Sequence, residues 1–163
     1  MRPITAADLM TPDVLTVPEE MTVRELSTFL MDNEITGAPV VDAEGRLVGV
    51  VSAVDIADMA AGEEAGDEGG DGPGRGFYDR AFEDTLSRDI REELGPVEGD
   101  EGEVRVGEIM NPEVYSVPED AAVAQVAMTM LSHHIHRLLV IEESRVVGII
   151  TTSDLLGLLV DEA

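Results

Sequence analysis

Two stretches of the chain, a hundred residues apart, carry one pattern. "DLMTPDVLTVPEEMTV" (8–23) and "EIMNPEVYSVPEDAAV" (108–123) share Met10/Met110, Pro12/Pro112, Val14/Val114, Val17/Val117, Pro18/Pro118, Glu19/Glu119 and Val23/Val123. The register holds through Ile35/Ile135 and Val40/Val140, then drops to 99 for "GRLVGVVSAVDI" against "SRVVGIITTSDL". The second copy has therefore lost one residue within "DAEGR", the kind of change a β-hairpin turn tolerates. A repeat of about 55 residues is too small to bury both faces of a sheet alone, so the two copies are expected to pack as a pseudo-twofold pair.

Within each copy the same elements are legible. A short helix ends near Met10 or Met110, stopped by Thr-Pro or Asn-Pro. An extended "VLTV" or "VYSV" follows, and after Pro18 or Pro118 a helix begins. Its apolar stripe is Val23, Leu26, Leu30 in one copy and Val123, Val126, Met130 in the other. Thr22 and Glu25 make a capping box that Ala122 cannot reproduce. Two strands follow (38–41 and 47–51; 138–141 and 146–150), then a closing helix. The expected division is repeat one over 1–60, an insert over 61–103 and repeat two over 104–163.

The insert differs in kind. Residues 61–76, "AGEEAGDEGGDGPGRG", hold seven glycines and five acids, the composition of a flexible acidic linker. Residues 77–94 instead place Tyr78, Phe82, Leu86, Ile90 and Leu94 four apart, which predicts an amphipathic helix closed by Gly95-Pro96.

Charge narrows the partners. The 163 residues carry 35 acids against 10 basic residues, a net −25, and every basic residue is arginine. Broad contact with nucleic acid or anionic lipid is disfavoured, since both require positive surface. No apolar run approaches the roughly 18 residues of a membrane span and the first residues lack a signal-peptide core, so a cytoplasmic protein is expected. Without cysteine, a metal site would be limited to histidine and carboxylates. So acidic a chain without lysine fits a cytoplasm of molar salt, where the Debye length is about 3 Å.

Each copy ends in Gly-apolar-apolar-[Ser/Thr]-x-x-Asp, "GVVSAVD" (49–55) and "GIITTSD" (148–154). With the "MxP…V…VP" lead, the two copies resemble a tandem cystathionine beta-synthase (CBS) domain pair, or Bateman module, of halophilic and haloarchaeal type. The resemblance implies an α/β fold of two repeats (helix, strand, helix, strand, strand, helix) and two adenosine-binding sites in the cleft between them. It implies one site from Val14, Thr16, Ile35 and Thr36 with His136, Arg137, Thr151, Ser153 and Asp154. The mirror site would use Val114, Ser116 and Ile135 with Thr36, Gly37, Ser52 and Asp55. Chemically, a carboxylate suits two vicinal hydroxyls, and a strand-to-helix junction offers free N–H groups to an anion. Gly37 stands where the other copy has Arg137, and Val54 where it has Ser153, so the mirror site is expected to be the weaker.

Plainer readings stand beside these. Asp55 and Asp154 also fit simple helix caps, His136 and Arg137 a strand-edge pair, and His133 and His134 the end of a helix. No nucleophile elbow, phosphate-binding glycine loop or apolar carboxylate pair is present, so no enzymatic activity is expected. The expected function is a stand-alone regulator that binds AMP, ADP, ATP or S-adenosylmethionine and signals, as a homodimer, to an unknown effector protein. The alternatives are a ligand-free interaction module using the insert helix and a regulator responsive to Mg²⁺.

Overall fold

The computed structural model describes residues 3–60 and 103–161. The acidic linker and the expected helix over 77–94 lie outside them. The described elements run α1 (Ala6–Leu9), β1 (Thr11–Pro12), β2 (Val17–Pro18), α2 (Val23–Asp32), β3 (Gly37–Val41), β4 (Leu47–Ser52) and α3 (Ala53–Ala60). The second copy repeats them as α4 (Val106–Ile109), β5 (Ser116–Val117), α5 (Val123–His133), β6 (Arg137–Glu142), β7 (Arg145–Thr151) and α6 (Thr152–Asp161).

Two compact units form, and they are offset from the two sequence copies. Residues up to Val14 belong with 114–161, and residues 15–60 belong with the segment ending at Glu113. We call these the second-copy unit and the first-copy unit after the body each contains.

In the first-copy unit β2 runs parallel to β3, and β3 pairs antiparallel with β4, Val40 opposite Gly49. The core is Val17, Val23, Leu26, Leu30, Ala38, Val40, Val51 and Ile56, all buried, with Val106 of α4 completing it. The three-and-four spacing on α2 thus turns one stripe onto the sheet. Thr22 caps α2 as expected: its Oγ1 accepts from the Glu25 N–H at 3.2 Å while Glu25 Oε1 accepts from the Thr22 N–H. The lead-in α4 docks by backbone: Val106 N–H donates to Met21 O (2.8 Å), Gly107 N–H to Glu19 O (2.9 Å) and Val23 N–H to Val104 O (2.7 Å). Asn111 then bridges Val50 on the edge of β4. A Cβ on Gly49 would lie 2.7 Å from the Asn111 carbonyl oxygen, so this approach needs glycine.

The second-copy unit repeats the arrangement with α1 as its lead-in. Ala6 N–H donates to Ala121 O, Ala7 N–H to Glu119 O and Val123 N–H to Ile4 O. Strand β1 pairs antiparallel with β7, giving the order β1-β7-β6-β5. Ala122 offers α5 no side-chain cap, and α5 closes at His134 in the left-handed conformation, φ 55°. Leu138, Leu139, Val140 and Ile150 of the sheet and Val126 of α5 are fully buried.

Candidate functional site at the heads of the closing helices

Each closing helix begins directly from a strand. β4 ends at Ser52 and β7 at Thr151, and the next residue is already helical, so the first N–H groups of α3 and α6 lack intrahelical carbonyls. Three residues on, a carboxylate folds back. Asp55 Oδ2 accepts from the Ser52 N–H at 2.8 Å and its hydroxyl at 3.3 Å. Asp154 Oδ2 accepts from the Thr151 N–H at 2.8 Å and its hydroxyl at 3.2 Å. The cap reading is therefore correct for both residues. It does not exclude the other, because the cap of Asp154 falls on one oxygen of two, and a carboxylate has about four acceptor positions.

In the second-copy unit the start of β6 lies beside this cap. Arg137 registers opposite Thr151, the Thr152 N–H donates to His136 O at 3.0 Å, and Thr152 Oγ1 lies 3.4 Å from His136 Nδ1. His136, Arg137, Thr151 and Asp154 are thus brought together, with Ser153 exposed on the first turn of α6. Arg137 is enclosed, at 3% exposure, and its group is engaged, so it is a fixed charge rather than a mobile arm. Ile135 is buried, Val14 and Val114 are half-buried, and Ser116 is exposed on β5.

The first-copy unit has the same frame with different side chains. Gly37 registers opposite Ser52, and the Ala53 N–H donates to Thr36 O at 2.8 Å. Ser52 and Thr36 are buried, while Thr16 and Ile35 are half-buried. No cation stands on β3 where Arg137 stands on β6. Of the residues assigned above to one adenosine site, Thr16, Ile35 and Thr36 lie in this unit and the rest in the other; of the mirror set, Thr36, Gly37, Ser52 and Asp55 lie here.

Sequence reasoning passed over Thr152, the residue that meets His136. The only signal was its place between Thr151 and Ser153, and the first copy has Ala53 there, so the repeat comparison gave no hint. It also left His134 as a helix end, while assigning His136 to the adenosine site. Both line a groove of about 420 Å³, together with Met130, Leu131, Leu155 and Leu156. Among the described residues no cluster of three or more His, Asp or Glu is placed to hold a metal ion. Nor is any described helix long and apolar enough to cross a membrane.

These features define a duplicated α/β repeat protein with one capped carboxylate at the head of each closing helix. The chain belongs to the CBS domain family, whose model matches residues 6–62 and 106–161. The tandem pair read from the motifs is borne out. Over 97% of its length the chain is 34% identical to the magnesium transporter MgtE of Thermus thermophilus, of which it spans 27%. Its fold matches the CBS domain pair of protein MJ0100 in complex with 5′-methylthioadenosine and S-adenosyl-L-methionine, at TM-score 0.64 and 22% identity, over 99% of this chain and 100% of that one. It also matches CBSX2 in complex with AMP, at TM-score 0.63 and 21% identity, over 97% of each chain.

Proposed function

We propose that this chain is a regulatory module that binds an adenosine-containing ligand, with Asp154 as the ribose acceptor. The observation that carries the reading is the Asp154 cap: one carboxylate oxygen is held by Thr151, so the other is fixed in direction at the head of α6. Thr152, His136 and the enclosed Arg137 add hydroxyl, imidazole and positive charge beside it. The complexes formed by the MJ0100 pair and CBSX2 support an adenosine ligand, S-adenosylmethionine or AMP among them. Asp55 heads the weaker site, since Gly37 and Val54 replace Arg137 and Ser153. The module performs no catalysis, works as a homodimer in a cytoplasm of high salt, and passes its ligand state to a separate effector protein.

Calorimetric titration with AMP, ADP, ATP and S-adenosylmethionine in molar KCl tests this. Asp154→Ala removes a charged hydrogen-bond acceptor, worth about 1.5–3 kcal/mol, so affinity should fall roughly 10- to 100-fold. Asp55→Ala should cost less. Equal losses, or none, would overturn the assignment.

The magnesium-transporter relative favours a second reading, in which the acidic chain responds to Mg²⁺. A Mg²⁺-dependent rise in melting temperature that Ca²⁺ and added KCl do not reproduce, with no adenosine compound bound, would select it.

A further inference from the structure

Met10 and Met110 recur at the head of the repeated pattern, and neither takes part in the site described above. Each lies on a strand glycine of its own unit. A Cβ on Gly148 of β7 would overlap the Cβ, Cγ and sulfur of Met10, and one on Gly49 of β4 would lie 2.8 Å from the sulfur of Met110 and 3.2 Å from its Cγ. The thioether thus fills the space a strand side chain would take, and it does so in both units. Around it the lead-in is held by backbone. In the second-copy unit the Ala6 and Ala7 N–H groups donate to Ala121 O and Glu119 O, and Thr11 and Pro12 lie opposite Ile149 and Gly148. In the first-copy unit the Gly107 N–H donates to Glu19 O, and Asn111 exchanges bonds of 2.8 and 2.9 Å with Val50.

Two further facts give these sulfurs a chemical role. The chain has no cysteine, so thioether is its only sulfur chemistry. Met10 and Met110 are also half-buried, unlike Met130 in the core, so a small oxidant can reach them.

We propose that Met10 and Met110 are modification sites for a peroxide, and that oxidation of either sulfur releases the lead-in segment of its unit. The S–O bond forms as the O–O bond breaks, and the proton on the transferred oxygen passes to the departing hydroxide, which leaves as water. Sulfur gives up two electrons and the peroxide takes them. The sulfoxide is larger than the thioether, and polar. Against Gly148 or Gly49 its oxygen has no room toward the sheet, and the strand there is already paired with Val140 or Val40. An oxygen enclosed without a donor is disfavoured, so the side chain swings out and the lead-in leaves with it. Each glycine stands three residues before a cap residue, Gly49 before Ser52 and Gly148 before Thr151, which hold Asp55 and Asp154. A strand that loses its outer neighbour holds that carboxylate less firmly, and oxidation lowers adenosine affinity; this last consequence alone rests on the ligand reading above.

Hydrogen exchange of the full chain in molar KCl after graded hydrogen peroxide tests the release, with sulfoxide at each methionine quantified by peptide mass spectrometry. Met31 and Met128, exposed at 42% and 61%, should oxidise first and leave exchange unchanged. Exchange at Ala6 and Ala7 should then rise at least tenfold in step with sulfoxide at Met10, and at Gly107 and Asn111 in step with sulfoxide at Met110. Met10→Leu keeps an apolar side chain of similar volume and should abolish the response at Ala6 and Ala7 alone; Met110→Leu should do the same for Gly107 and Asn111. Met10→Gln sets a polar group on Gly148 without oxidant and should speed exchange at Ala6 and Ala7 before peroxide is added, a check that holds should a leucine variant fold poorly. Full sulfoxide at both positions with unaltered exchange would overturn the proposal. So would a response that persists in the leucine variants, or a Met10 and Met110 that stay reduced until the whole chain unfolds. Calorimetry with AMP on the same samples separates the two readings: binding absent before and after oxidation sinks the adenosine site and leaves the release, read by exchange, standing.

Discussion

Glu142 and Glu119 place two carboxyls in contact in the second-copy unit. Their shared hydrogen bond, and after it their mutual repulsion, raises Glu142 above the ordinary carboxylate range. A carboxyl raised in the folded state holds its proton more tightly there than in the unfolded chain. The contact therefore favours the fold at acid pH and turns to repulsion as pH rises through the folded value. Glu142→Gln should raise the melting temperature at pH 7, and thermal melts at pH values below the ordinary carboxylate range should show the gain fading, since Glu142 then carries its proton in the folded and the unfolded chain alike. Asp42 behaves oppositely. The Arg46 backbone N–H, donating to its carboxylate, lowers it, and that contribution fades as pH falls below the usual aspartate value. At this scale sequence reading did well where chemistry is local. A carboxylate three residues after Ser52 or Thr151 has few geometries open to it, so both caps were legible. The left-handed residues were not. Glu34 and His134 take φ near 55° at one repeat position with no glycine or asparagine to announce it.

Helices α2 and α5 occupy the same place in their copies and differ at the cap. Thr22 and Glu25 close a box on α2, whereas Ala122 leaves α5 without a side-chain acceptor although Gln125 sits at the matching third position. The backbone at Ala122 is already extended, with φ −69° and ψ 151°, as a cap requires. Ala122→Ser should therefore stabilise the protein by about 1 kcal/mol, read as a rise in melting temperature, and Thr22→Ala should cost a similar amount. Equal melting points for Ala122→Ser and the parent would show that backbone acceptors from Ile4 already satisfy this end. Helix faces followed from the repeat, because periodicity reports which side chains are buried. The docking of α1 and α4 did not follow. Aligning two copies shows that each has a lead-in helix, yet both lead-ins fit either body equally well by pattern: Met10 and Met110 are the same residue facing the same glycine position.

For the whole molecule the dominant long-range term is charge. With 35 acids and 10 arginines, self-repulsion opposes compaction until salt screens it. The melting temperature should climb steeply between dilute buffer and about 1 M KCl, where the Debye length falls from tens of Å to about 3 Å. A flat profile across that range, followed by circular dichroism, would remove the case for a high-salt habitat.

The exchange of lead-ins also orders events during synthesis. The first-copy unit has all its described parts once residue 113 has left the ribosome. The opening residues, Thr5 to Pro12, must wait for Ala121, Gly148 and Ile149 before their backbone partners exist. At about 5–20 residues per second, that wait lasts roughly 5–30 s. The earliest residues made are thus among the last to be placed, and throughout the delay the nascent chain trails an unpaired strand. The net charge of −25 opposes edge-to-edge pairing with another copy until the strand is claimed.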